Sequence, residues 1–281
     1  LVELSLVQAQ QYQMQGRFPE AIAVMLASLQ QLGYQFPENE EAAGAELLET
    51  FQTTKAALTA FEEVELLTAG EMSDAVSLQC MQLHNALAVA LYLVGAFKSY
   101  AVNACRMVQL TLEHGQCELS AIGYLTYATA MSSMGEAYPQ CYRMGRLAKT
   151  MSDQWDNKYY RATTYQYFSS TYQHWCEPII NTFDPLAQVA AWGREGINLV
   201  YAGYSILFSI RNQLISGRPL PEIEIEATRG LAFLRKHHQL PIARYLKLCS
   251  YQSILALQGK TPDPKSLDSD SLHAMDVFDG D

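Results

Sequence analysis

Trp155–Trp175 reads WDNKYYRATTYQYFSSTYQHW and carries eight aromatic side chains in 21 residues. Aromatic rings stack on flat ligands, while Tyr hydroxyls and Trp N–H groups hydrogen-bond them. On a helix, Tyr165, Phe168, Tyr172 and Trp175 are spaced by 3, 4 and 3 residues and share one stripe. Gln166, Ser169, Ser170 and Gln173 fall on the flanking faces, where solvent exposure is expected. The stripe has two readings. One is a groove wall for a ligand or peptide. The other, plainer one is a bulky seam between consecutive helix pairs. With tyrosines of neighbouring helices added, the candidate groove comprises Tyr124, Tyr127, Tyr165, Gln166, Ser169, Tyr172, Gln173, Trp175 and Tyr204.

The other chemical patterns are weak. Gly259-Lys260-Thr261 ends like a phosphate-binding loop, but that loop needs a Gly where this chain has Ile254, and a strand before it. No HExxH, GxSxG or GxGxxG occurs. Cys80 and His84 lie at i and i+4, and His114 is three before Cys117, so each pair could supply half of a metal site. Neither has the further ligands a metal needs, and packing explains them. His237 and His238 follow Arg235 and Lys236 at a helix C-terminus, where cations are favoured. No catalytic residue, cofactor or metal is called for.

Composition narrows the partners. Net charge is −10, and residues 261–281 alone hold six Asp and one Lys. That segment lacks apolar periodicity, so 259–281 is expected to be an acidic disordered tail or linker. No Lys/Arg cluster offers a phosphate-backbone footprint, so nucleic acid is not an expected partner. The uncharged runs Ala75–Phe97 and Gly196–Ile210 are, respectively, too polar and too short to span a membrane. Six Cys, none in a CxxC, read as reduced thiols of a cytoplasmic protein. The chain begins at Leu1 without a basic-then-apolar leader and reads as a segment of something longer.

The elements that would hold these residues follow a period. Breaks at Gly95, Gly135, Glu177, Gly217 and Gly259 are separated by 40, 42, 40 and 42 residues, with an earlier one at Gly16. Such a period means stacked supersecondary units, none able to bury its apolar face alone. The expected fold is therefore all-α: an α-solenoid of antiparallel helix pairs over residues 1–258, a tetratricopeptide-like superhelix. Helices are expected over 1–15, 21–32, 74–94, 98–114, 118–134, 137–153, 157–175, 183–195, 197–216, 220–238 and 241–258. Residues 34–75 are the irregular part, with one long helix from Leu47 to Leu67. Asp184 is expected as an N-cap with Pro185 in the first turn, and Pro241 opens the last helix. Gly115, Gly135, Gly217 and Gly259 are expected to stop helices at positive φ. Glu38, Glu40 and Glu41 suit the positive end of their own helix. Ile223-Glu224-Ile225-Glu226 alternates like a strand but lies within a helical period, and is read as helix.

Tyr12, Gly16, Phe18, Ala21 and Ile22 resemble the small-and-aromatic positions of a tetratricopeptide repeat, with Ser28 at the second small site. A longer likeness runs through MVQLTLEHGQCELSAIGYLTYA (Met107–Ala128), YRMGRLAKTMSD (Tyr142–Asp153), Trp175 with Pro178, and GINLVYA (Gly196–Ala202). Over roughly 1–258 the chain resembles the helical region of very large signalling proteins, abundant in cyanobacteria. Those proteins combine a serine/threonine-kinase-like domain, a STAND/AAA-type ATPase, a GAF domain and a histidine kinase. The family often has an acidic residue where this chain has Asn198, a turn position that accepts either.

The resemblance implies a non-catalytic regulatory or sensor module of a multidomain signal-transduction kinase. Its partners would be the adjacent domains and a peptide, protein or small-molecule effector, and a homodimer is compatible with it. The alternative is a protein–protein adaptor or dimerisation scaffold with no small-molecule ligand. An enzyme is the remaining class, against which the sparse His and scattered carboxylates speak.

Overall fold

Short, Gly- or Pro-marked turns fold this chain into consecutive helical hairpins in a computed structural model that describes residues 2–263 and 268. The chain divides into two compact units, Leu1–Tyr160 and Arg161–Asp281. The first contains α1 (Val2–Met14), α2 (Phe18–Gln31), α3 (Glu40–Thr59), α4 (Glu63–Leu67), α5 (Ala75–Leu93), α6 (Phe97–His114), α7 (Ser120–Ser133) and α8 (Tyr138–Ser152). The helix α9 (Lys158–Phe168) leads into the second. There a π-helical turn, Ser169–Gln173, carries it into α10 (His174–Cys176). A 3-10 turn, Ile179–Thr182, then opens α11 (Phe183–Arg194), followed by α12 (Leu199–Ile215), α13 (Leu220–Lys236) and α14 (Leu240–Leu246). A second π-helical turn, Lys247–Tyr251, joins α14 to α15 (Gln252–Leu257). Among the described residues there is no β-strand, only one isolated parallel bridge between Glu71 and Gln116. No described helix is long and apolar enough to cross a membrane.

In the first unit α1 packs on α2, α5 on α6 and α7 on α8, while α3 lies along α6. Met25, Leu29, Met81, Leu83, Leu87 and Met107 are fully buried and form the centre of its core. Each such side chain contributes roughly 1.5–3 kcal/mol by leaving water. In the second unit α11 packs on α12 and α12 on α13, around Leu207, Ile210, Ile223, Leu234 and Leu246. Here small residues set the spacing. A Cβ built on Gly193 would sit 2.2 Å from the Ala202 Cβ, so α11 and α12 touch almost backbone to backbone.

The second unit also shows a register between the first helices of successive hairpins. Asn198, at the start of α12, donates to the Thr163 hydroxyl of α9 at 3.0 Å. Arg211, thirteen residues further along α12, lies close enough for its charge to act on His174, eleven residues beyond Thr163. Both numbers rise together, so α9–α10 and α12 run parallel. The same holds for α12 and α14. Gly203 faces Ile242, and the charge on Arg211 is felt from Tyr245 and Cys249.

Several sequence expectations need correcting. Asp184 is not an N-cap. The 3-10 turn brings the chain in early, Thr182 precedes the first helical residue, and Asp184 sits inside the first turn. The helix expected from Leu47 to Leu67 starts at Glu40, capped by the Asn39 side chain, and breaks after Thr59 before α4 begins. Glu40 and Glu41 lie in the first turn of their own helix as expected, and Glu40 also serves a second one: its carboxylate accepts from Lys98 N at 3.0 Å and Ser99 N at 2.8 Å. It thereby caps α6, whose own N-cap residue is Ala96. Ile223–Glu226 is helical, inside α13, and Pro241 lies in the first turn of α14. Gly115, Gly135, Gly217 and Gly259 take φ of 93°, 85°, 76° and 67°. The expectation for 259–281 falls almost wholly outside the described residues.

Candidate functional site

The irregular stretch between α3 and α5 builds a concave site, and backbone pairing holds it in place. Gln116 N donates to Gly70 O and Met72 N donates to Gln116 O, both at 2.7 Å. The Gln116 side chain also donates to the Leu66 carbonyl. This approach requires Gly115. Its φ is 93°, and a Cβ there would lie 2.3 Å from Gly70 O. The segment after α4 is thereby strapped to the α6–α7 turn.

Beneath this strap lie two cavities that share Phe61 and Leu66. One, of about 310 Å³, is bounded by Gly70, Thr111, His114, Gly115 and Tyr124. The other, of about 380 Å³, is bounded by Leu58, Tyr127, Met131, Gln140, Arg143 and Leu147. Tyr124 and Tyr127 stand three apart on α7, so one helix face presents a phenol to each cavity. Both rings are 1% exposed. The Tyr127 hydroxyl is buried without a hydrogen-bond partner, and its ring stacks on Phe51 with centroids 5.6 Å apart. Leaving such a group unpaired costs about 1–3 kcal/mol. Burial pushes both phenols up, with Cys105 and Glu136 adding to the effect at Tyr127. They are neutral donors at physiological pH.

Two ion pairs stand at the rim of the second cavity. Lys55 of α3 pairs with Glu136 of the α7–α8 turn, and Arg146 of α8 pairs with Glu63 of α4 at 3.2 Å. Exposed pairs of this kind contribute about 0–1 kcal/mol each and weaken with salt. Arg143 also stands at this rim and is exposed. The site can therefore hold an amphipathic ligand, with an apolar part against Phe61 and Leu66 and a polar group that hydrogen-bonds a phenol or meets the charged rim. No family model matches this chain, and neither does any curated protein or solved structure.

The remaining candidate residues belong to the second unit. Phe168 and Tyr172 are buried, Tyr165 is half-buried against Trp192 at 5.8 Å, and Trp175 is 49% exposed. The stripe is interrupted because the π-helical turn adds a residue, rotating Trp175 away from Tyr172. The flanking polar residues do not face solvent: Gln166, Ser169, Ser170 and Gln173 are all buried. Gln166 donates to the Ser170 hydroxyl at 3.1 Å, and Gln173 donates to Glu177 at 3.0 Å and to the Asn181 carbonyl at 3.1 Å. Helix-lining contacts absorb them where periodicity placed them outside. Tyr204 is 39% exposed on α12, with its ring 6.4 Å from Tyr201.

Phe61, Leu66 and Arg143 complete the cleft, and spacing does not single them out as a site. The only signal was their place in, or opposite, the one stretch that breaks the period. Among the described residues no group of three or more His, Cys, Asp or Glu is placed to hold a metal ion. Cys80 is a buried thiol whose pKa burial pushes up to about 11.

Proposed function

We propose that this chain is a non-catalytic, α-solenoid regulatory module that takes a ligand or short peptide in the cleft under the 60–72 strap. In this reading it passes the resulting change of curvature to neighbouring domains of a multidomain signalling kinase. The observation that carries the reading is the Tyr127 hydroxyl, buried and unpartnered beside a cavity of about 380 Å³ lined by both apolar and charged side chains. A ligand acceptor there would satisfy it. The parallel register of α9, α12 and α14 supports the repeat architecture, since hairpins stacked in one sense place their first helices side by side. The strap, tied at one end by the Glu63–Arg146 ion pair and at the other by the pairing of Gly70 and Met72 with Gln116, is the element a ligand would order.

The test is a thermal-shift screen of metabolites and peptides on the full chain, repeated on Tyr127→Phe. A ligand that stabilises the parent and loses most of its effect in the variant supports the cleft. No ligand-dependent shift defeats it. Small-angle scattering addresses the architecture separately, because a curved rod and a closed globule give different distance distributions.

A second reading has its own observation. Tyr92, Leu93 and Val94 at the end of α5, and Phe97 at the start of α6, are all exposed, with the Tyr92 and Phe97 rings 6.1 Å apart. An apolar hairpin tip of this kind suits a protein–protein adaptor. Light scattering coupled to size exclusion distinguishes the two. A dimer abolished by Phe97→Ser, with no ligand shift, favours the adaptor.

A further inference from the structure

In the second unit the buried polar atoms without partners are not scattered. Ser169 Oγ, Gln173 Oε1 and His174 Nδ1 lie on the α9–α10 path, Ser205 Oγ and Arg211 Nε on α12, and Ser250 Oγ on the turn after α14. All belong to the first helices of their hairpins, which run parallel side by side. Both π-helical turns interrupt these same helices, Ser169–Gln173 on one side of α12 and Lys247–Tyr251 on the other. Such turns open the backbone ladder and are frequent at functional sites.

Arg211 is the centre of the group. Its guanidinium lies over the Phe208 ring at 4.4 Å and is half-buried. Its Nε meets no hydrogen-bond partner, and no carboxylate among the described residues pairs with it. A cation withdrawn from water without a partner is costly, and native proteins pair such groups or bind an anion with them. Burial lowers the Arg211 pKa, with Tyr245 and Cys249 acting the other way. His174 is likewise held below its ordinary value, by burial first and then by the charge of Arg211. His174 Nδ1 has no partner, so the tautomer protonated there can donate a hydrogen bond, as can the Tyr245 hydroxyl.

We propose that Arg211, flanked by His174 and Tyr245, is a binding site for the oxyanion of a small ligand, a carboxylate or a phosphate. Three adjacent helices contribute one residue each, so occupancy would tie successive hairpins together. The fork of Arg211 supplies two parallel donors, matching the planar edge of either anion. This site is distinct from the cleft under the 60–72 strap and does not depend on that reading.

The experiment titrates the full chain with inorganic phosphate and, separately, with succinate, against sodium chloride at matched ionic strength. Binding is followed by calorimetry and melting temperature. The parent should show saturable binding of one or both anions, and the tighter of the two identifies the class. Phosphate stabilises proteins generally by exclusion, so the reading is the difference between variants. Arg211→Gln should weaken binding by at least about tenfold, Arg211→Lys should retain part of it, and the exposed Arg229→Gln should leave it unchanged. Equal anion response in parent and Arg211→Gln overturns the proposal.

Discussion

His84 Nδ1 lies 2.7 Å from Asn103 Oδ1, and Asn103 Nδ2 donates back to the His84 carbonyl at 3.0 Å. The carboxamide oxygen only accepts, so the imidazole proton sits on Nδ1. Both side chains are buried between α5 and α6, and His84 Nε2 has no partner. Protonation would place a second N–H, and a charge, where nothing can receive them.

A pH dependence follows. Burial holds the His84 pKa down at about 4, with the Asn103 hydrogen bond acting upward and the charge of Arg106 acting downward. The unfolded histidine titrates near 6.5. As pH falls through that value the unfolded chain takes up a proton and the folded chain does not. Stability is full above about 6.5, falls toward about 4 and then levels. At pH 5 the parent should have lost about 2 kcal/mol through this group. Urea denaturation of the parent and of His84→Gln at pH 7 and pH 5 isolates the effect. An identical loss in both proteins would remove His84 as its source.

Gly115 separates two costs that usually come together. Its positive φ penalises any side chain, and its Cβ position is occupied by Gly70 O at 2.3 Å. Gly135 has φ of 85° but open space around it. Gly135→Ala should therefore cost only the backbone term, about 1–2 kcal/mol. Gly115→Ala should cost more, about 3 kcal/mol or above, because it also pushes apart the Gly70–Gln116 pairing. Chemical denaturation ranks them, and hydrogen exchange at Met72 and Gln116 should accelerate in Gly115→Ala alone.

Periodic features were legible in the sequence. The Gly breaks, the helices between them and the helical state of Ile223–Glu226 all follow from an apolar pattern repeated at helical spacing. What periodicity does not carry is set by contacts distant in sequence. The cleft depends on Gly70 and Met72 meeting Gln116, and the cap of α6 comes from Glu40, 58 and 59 residues before the groups it binds. The burial of Gln166 and Gln173 was missed for a related reason. A helical wheel places them beside the aromatic stripe, but not which neighbouring helices close over them. The π-helical turns left no sequence signal, and the one at Ser169–Gln173 displaces Trp175 from its stripe. Asn198 shows the reverse case. At φ of 47° it occupies a left-handed position that Asn tolerates, and its side chain reaches Thr163.

Tyr127 yields a prediction that requires no ligand. Its hydroxyl is buried and unpartnered, while its ring is stacked on Phe51. Tyr127→Phe keeps the ring and removes the unpaired group, so the free protein should gain about 1 kcal/mol. Tyr127→Ala loses the stacking and leaves a void, and should cost about 3–5 kcal/mol. If Tyr127→Phe instead destabilises, the hydroxyl has a structural partner, such as a bound water, and the cleft loses its main polar handle.

Gly193 and Ala202 test the packing of α11 on α12. A methyl at Gly193 would lie 2.2 Å from the Ala202 Cβ and 3.6 Å from the Phe233 ring edge. Gly193 lies near the end of α11 without positive φ, so alanine there would be favoured by propensity, by about 1 kcal/mol. The clash should win: pushing two packed helices apart costs about 1–3 kcal/mol, sometimes more. Gly193→Ala should therefore destabilise despite its better propensity. Ala202→Gly alone should cost about 1 kcal/mol, but in the Gly193→Ala background it should restore stability. The coupling energy from this double-mutant cycle should exceed about 1 kcal/mol in the stabilising sense. Additive effects in guanidinium denaturation would mean that the two helices do not meet at these residues.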